Sequence, residues 1–176
     1  PYMRSAKLTS DTEFASMDHL KRIKALYYGN VSLIDKGVGR ILNALDDLDL
    51  ADNTLVLFTT DHGELMGDHG AFQKSKPYEA SARIPFLARL PGRIEAGRTS
   101  DDRVTLRDLM PTFLDLADVD YPGDIPLPGA SLLGDPGGGL AEPRKECVVE
   151  HGGGNTRWMS LMNGPWKYNY YIQGGW

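Results

Sequence analysis

From Leu20 to Thr60 the chain writes a long helix and then, after a polar turn, a strand; no other stretch restricts the fold as much. In "HLKRIKALYYGNVSLIDKGVGRILNALDDLDL", Leu20, Ile23, Tyr27, Val31, Ile34, Val38, Ile41 and Leu45 recur at three- and four-residue steps. That spacing puts them on one face of a helix. Gly29, Gly37 and Gly39 weaken it locally and read as places of close packing rather than as its end. After "DLADN", the run "TLVLFTT" is short and continuously apolar, the pattern of a strand buried on both faces in a parallel sheet. A long helix feeding such a strand is an α/β unit.

The strand delivers "FTTDHGELMGDHGAFQK", which carries Asp-His-Gly twice. Asp61 and His62 fall just past the strand's carboxyl end, where open α/β sheets hold their ligands. An adjacent carboxylate and imidazole can reach one cation if the backbone turns, and Gly63 gives freedom for that turn. Carboxylate oxygen and neutral imidazole nitrogen suit a divalent metal. The pair by itself reads more readily as a turn aspartate followed by a loop histidine. No strand precedes the second copy. Asp68 there reads as a solvated turn residue, and His69 is a candidate for lining the same pocket. Lys74 closes the loop as a compact positive charge suited to an anionic substrate.

Beyond it, "KPYEASARIPFLARLPG" holds a helical turn and a second apolar strand. The whole run from Leu50 to Gly92 resembles the sulfatase family of the alkaline-phosphatase superfamily. There the order is apolar strand, Thr/Ser-Asp-His/Asn-Gly, a Gly-rich loop, Lys, Tyr-Glu, Arg-Val/Ile-Pro, strand and Pro-Gly. The likeness extends back over "YYGNVSLIDKGVGRILNAL" and forward over "VTLRDLMPTFLDLADV" and "LPGASLLG" to the late hairpin. It implies an α/β fold, part of a mostly parallel sheet flanked by helices, followed by a small antiparallel subdomain. By position, Asp61 and His62 match the family's second pair of metal ligands, and Lys74 matches the lysine that contacts the sulfate. Arg83 matches a supporting arginine. Asp68-His69 becomes an echo, not a second metal pair.

The resemblance further implies a divalent metal, calcium being the family's usual ion. Asp-His at this place is also the pattern of phosphonate- and phosphate-ester relatives that use softer transition metals. Sulfatases need Cys/Ser-x-Pro-x-Arg, whose first residue becomes formylglycine, and an early pair of acidic ligands. Cys147, in "KECVVEH", lacks Pro and Arg at the required offsets and reads as a buried strand cysteine. The chain therefore resembles the carboxyl-terminal part of a sulfatase, with formylglycine expected in a missing amino-terminal part and the piece alone expected to be inactive. The activity so implied is hydrolysis of a small sulfate ester. Phosphonate or phosphodiester hydrolysis, or a non-catalytic module that kept the fold, are the alternatives.

Three regions follow: residues 1–122 as catalytic α/β domain, 123–145 as a Pro/Gly-rich connector, and 146–176 as the start of the antiparallel subdomain. "DDRVTLRDLMPTFLDLA" reads as a helix beginning near Asp108, with Pro111 in its first turn. "RWMSLMNGPWKYNYY" reads as a hairpin turning at Asn163-Gly164. Its aromatics, Trp158, Trp166, Tyr168, Tyr170 and Tyr171, read as packing rather than as a sugar platform, and His151 as a polar loop residue. A net charge of -5 over 176 residues gives no broad basic surface and argues against nucleic acid as a partner. No apolar run approaches the ~20 residues of a membrane span.

Overall fold

The computed structural model describes residues 17–135, 137–153 and 156–172. Its elements run α1 (Met17–Asp47), β1 (Val56–Thr59), α2 (Glu79–Ala82), β2 (Phe86–Arg89), α3 (Leu109–Ala117), β3 (Glu146–Gly153), β4 (Thr156–Asn163) and β5 (Trp166–Ile172). Single 3-10 turns lie at Ala51–Asn53, Asp68–Gly70 and Leu106–Asp108. Helices and strands mix in the first part and an antiparallel sheet closes the chain, the α/β organisation that the sequence leads one to expect.

The chain divides into two compact units. One comprises Pro1–Ala51 with Thr60–Pro85, the other Asp52–Thr59 with Phe86–Trp176. In the first, α1 forms as its periodicity requires, yet none of its described residues is buried. Leu20, Ile23, Val38 and Leu45 are half-covered, while Tyr27, Val31, Ile34 and Ile41 are exposed. Gly29, Gly37 and Gly39 do not mark close packing, because a side chain at any of them would meet nothing within 4 Å. The apolar periodicity thus sets the helix, and the packing expected of its face is absent among the described residues.

In the second unit β1 pairs with β2 antiparallel, in the register Val56–Arg89, Leu57–Ala88, Phe58–Leu87 and Thr59–Phe86. A fully buried strand with parallel neighbours was the expectation for β1; its described ladder is antiparallel and Phe58 remains 40% exposed. An apolar run carries no information on strand direction, so this difference lies beyond what periodicity can decide. An antiparallel partner is a common feature of otherwise parallel sheets.

α3 starts from the Leu106–Asp108 turn and includes Pro111 as its third residue, where the missing N–H is one that the first turn leaves unpaired anyway. It ends at Asp118 in a left-handed conformation (φ 52°), which a short polar side chain tolerates. Asp108 is fully buried and joins three segments of this unit. Its carboxylate accepts from the Thr105 N–H at 2.7 Å, the Ala130 N–H at 3.0 Å and both terminal nitrogens of Arg144 at 2.9 and 2.7 Å. Thr112 continues the seam, donating to the Asp108 carbonyl at 2.6 Å and accepting from Leu132 N–H at 3.0 Å. The Pro/Gly-rich stretch is therefore tied down, with Leu132 and Leu140 in the core.

β3, β4 and β5 form an antiparallel sheet in that order. One face carries Cys147, Trp158 and Ser160, all buried. The opposite face carries Val148, Met159, Leu161, Trp166, Tyr168 and Tyr170, all exposed. Packing accounts for Trp158 as expected, but not for the β5 aromatics, of which Trp166 is 78% exposed. The hairpin turn lies one residue later than Asn163-Gly164: Asn163 pairs with Trp166, leaving Gly164-Pro165 as the two-residue loop. Gly164 takes φ 54° there, matching the preference for glycine at the first position of a II′ turn, and Pro165 needs no N–H in the ladder.

Candidate functional site

The site belongs to the first unit and is built from one loop. Asp61 and His62 follow β1 directly in sequence, and the N–H of Gly63 donates to the Ser81 carbonyl at 2.8 Å, fastening this turn to α2. Gly63 is required for a reason other than backbone freedom. Its φ is not positive, but a Cβ would lie 2.0 Å from the carbonyl oxygen of Ala80, inside any tolerable contact. Gly63→Ala is accordingly expected to destabilise the protein by about 1–3 kcal/mol and to displace the Asp61-His62 turn. Thermal denaturation with and without added metal checks this; an unchanged midpoint would mean that α2 yields freely.

Asp61 is held in shape by short-range bonds. Its Oδ1 accepts from the His62 N–H at 3.0 Å and from the Thr60 hydroxyl at 3.3 Å. Although desolvation works the other way, the hydrogen bonds from the His62 N–H and the Thr60 hydroxyl leave the Asp61 carboxyl below its ordinary value. It is a carboxylate at neutral pH.

His62 places Nδ1 at 2.8 Å from the Gly63 carbonyl oxygen. A carbonyl can only accept, so Nδ1 carries the proton, and an ammonium can only donate, so Nε2, which faces Lys74, keeps a lone pair. That lone pair faces the Lys74 ammonium at 2.6 Å, and Asp61 Oδ2 lies 3.4 Å from the same nitrogen. Residues twelve apart in sequence thus meet, the ammonium against the imidazole nitrogen and the carboxylate beside that same nitrogen. An imidazole nitrogen and a carboxylate oxygen are donors that suit a divalent cation. They supply part of a shell at most: hard cations take six to eight oxygens, and no cluster of three or more His, Cys, Asp or Glu occurs among the described residues.

Asp68 and His69 make contacts of their own within the loop. Asp68 opens the 3-10 turn, exposed, with its N–H donating to the Leu65 carbonyl at 2.8 Å. His69 lies flat on Tyr78, ring centres 3.8 Å apart and planes 15° from parallel. Arg83 follows α2 and is exposed. His151 belongs to β3, not a loop, and stacks on Trp158 at 5.7 Å. Ser75-Lys76-Pro77 shows the first half of a Ser-x-Pro-x-Arg spacing, but Glu79 stands where Arg is needed. A cleft of about 240 Å³ between α1 and the loop is lined by Lys24, Tyr27, Tyr28, Glu64, Leu65, Met66 and Asp68; Asp61, His62 and Lys74 lie outside it. Sequence reasoning passed over Glu64, which accepts from two backbone N–H groups of this loop. A glutamate between two glycine-bracketed turns carries no signal of such bonds.

The loop thus brings a carboxylate, an imidazole and an ammonium group together. The family model for sulfatases matches residues 3–119, and the chain belongs to the sulfatase family. An arylsulfatase of Clostridium perfringens is 38% identical over 160 residues, 87% of this chain and 30% of that protein. A solved structure in complex with its substrate, D-glucosamine-2-N,6-O-disulfate, aligns at TM-score 0.68 and 35% identity, covering 76% of this chain and 28% of that one. The phosphonate monoester hydrolase of Agrobacterium radiobacter aligns at TM-score 0.80 and 26% identity, covering 89% and 34%. The chain therefore spans about a third of the length of the relatives it matches.

Proposed function

We propose that this chain is the part of a sulfuric-ester hydrolase that contributes Asp61 and His62 to one divalent cation and Lys74 to the sulfate group. The observation that carries the reading is the meeting of Lys74 Nζ with His62 Nε2 at 2.6 Å, beside Asp61. A sulfate ester brings a compact anion to a metal; a carboxylate, a neutral imidazole and an ammonium are the groups such a pair requires. When bound, the cation, with calcium as the family's usual ion, polarises an ester oxygen as a Lewis acid. The chain's own residues do the rest. Asp61 stays ionised, the Gly63 carbonyl holds His62 in the tautomer with a free Nε2, and Lys74 brings positive charge to the sulfuryl oxygens. The nucleophile, a formylglycine in this reading, comes from outside these residues. The small, anionic, sugar-borne substrate of the disulfated-glucosamine structure is the model for the substrate class.

A second reading, phosphonate or phosphodiester hydrolysis, is favoured by the high TM-score with the phosphonate monoester hydrolase and by histidine at position 62. Both readings use the same residues on a tetrahedral anion. Paired assays of the intact enzyme on an aryl sulfate and a phosphonate monoester separate them.

The metal assignment has its own test. Asp61→Asn is expected to strip the intact enzyme of most of its bound metal, because each lost carboxylate weakens a hard-cation site. Asp68→Asn should leave the content unchanged. Elemental analysis of the purified variants decides it, and equal losses in both would return the second Asp-His-Gly to the metal shell.

A further inference from the structure

Lys74 is presented by a backbone that should not hold its shape unaided. Gln73 and Ser75, on either side of it, have φ of 65° and 76°, and Met66 and His69 earlier in the loop have 49° and 54°. None of the four is glycine, and side-chain-bearing residues persist in this region only when their surroundings over-determine them. The loop therefore needs a brace, and one side chain supplies it.

We infer that Glu64 is the positioning residue for Lys74, its carboxylate tethering the Gln73 peptide and so setting where the ammonium points. Oε1 of Glu64 accepts from the Gln73 N–H and also from the Met66 N–H at 3.4 Å. Gln73 is also held through its carbonyl, in the next peptide group, which accepts from Leu65 N–H at 2.9 Å. Leu65 is wholly buried, so this second bond is fixed to the packed interior of the unit. Gln73 is thus gripped by consecutive residues, Glu64 and Leu65, that follow the Asp61-His62-Gly63 turn directly. A carboxylate accepting from backbone N–H groups makes charge-assisted bonds, stronger than neutral ones. One residue beyond the grip, the side chain of Lys74 reaches back twelve positions to His62. The tether closes the loop so that the ligand turn and the lysine move as one piece. Glu64 acts through Lys74 and touches no reacting group.

The inference rests on the proposed role of Lys74, and the test keeps the two apart. Amide hydrogen exchange over residues 71–76 is measured by mass spectrometry on the intact enzyme, its Glu64→Ala, Glu64→Asp and Glu64→Gln variants, and Lys74→Ala with and without Glu64→Ala. Glu64→Asp keeps the charge but is one methylene too short; Glu64→Gln keeps the reach and an acceptor oxygen. The loop is expected to exchange faster in the Ala and Asp variants and to stay near normal in Gln. Turnover should fall about 10- to 100-fold in the Ala and Asp variants, the usual cost of a reacting group misplaced by about an ångström. Gln should recover most of it. In the Lys74→Ala background, Glu64→Ala should cost nothing further. Unchanged exchange in Glu64→Asp would overturn the tether, as would a full additional loss of activity in the Lys74→Ala background. A silent Lys74→Ala with a loosened loop in Glu64→Asp would instead sink the role of Lys74 while leaving the tether standing. The Asp and Gln variants decide the matter even where Glu64→Ala fails to fold.

Discussion

Lys74→Ala in the intact enzyme is expected to lower turnover on a sulfate ester by about 100- to 1,000-fold, or ~3–4 kcal/mol, the scale of losing one preorganised donor aimed at developing charge. The ammonium is exposed, and its close partner is the lone pair of His62 Nε2 at 2.6 Å. A divalent ion held by His62 would take this imidazole nitrogen and leave the ammonium for an anionic substrate. Metal content should therefore not fall in the variant, since the ammonium competes for His62 and does not help bind a cation. Lys76, half-exposed two residues on, is the control; Lys76→Ala should stay within ~0.5 kcal/mol of the parent, as surface changes do. Steady-state kinetics on both variants, with elemental analysis, gives the answer. Loss in Lys76→Ala with normal turnover in Lys74→Ala would transfer the role to Lys76, and silence in both would take the loop out of the reaction.

Asp108→Ala is expected to be the most damaging change to stability. It leaves the Thr105 and Ala130 amides without their acceptor and the Arg144 guanidinium with only the Arg103 carbonyl, at 2.8 Å. Removing one member of a buried pair costs roughly 3–5 kcal/mol. The low end applies here, because the Arg144 side chain keeps 23% exposure and water can reach it. Asp108→Asn, which retains one acceptor oxygen, should lose less. The wild-type pair also predicts a pH dependence. Burial alone would raise the Asp108 pKa, but the hydrogen bonds from Arg144, Ala130 and Thr105 and the charge of Arg144 outweigh it and hold the carboxyl below its usual range. A depressed folded-state value means that the stabilisation is complete above the unfolded value of about 3.9. It is lost as pH falls through the lower folded value. Urea midpoints measured from about pH 3 to about pH 7, a span that includes carboxylate titration, should drop at the acid end for wild type and flatten for Asp108→Asn. Parallel curves would show that Asp108 is not the titrating group.

Legibility in the sequence divides along a physical line. Periodicity and turn chemistry are local, so α1, the helical turn before β2, the α3 start near Asp108 and the late hairpin could all be read from neighbouring residues. The hairpin turn was off by one residue because two glycine-containing dipeptides compete there, and the cross-strand partner of Asn163, not the dipeptide, settles the register. The stripe of α1 specified a helix but not its cover: a repeat states which residues share a face, never what lies opposite.

The candidate site shows the same division. Order and spacing in "TTDHGELMGDHGAFQK" nominate Asp61, His62 and Lys74, and the structure shows that His62 and Lys74 meet with Asp61 beside them. Three things depended on the tertiary structure. The steric demand on Gly63 comes from the Ala80 carbonyl seventeen residues away. The tautomer of His62 comes from the direction of the Gly63 carbonyl. The grip of Glu64 on Gln73 spans nine residues across a loop whose left-handed backbone no propensity would forecast. Hydrogen-bond direction and close approach depend on where backbone atoms lie to within a few tenths of an ångström, and a one-dimensional pattern of residue types does not contain that information.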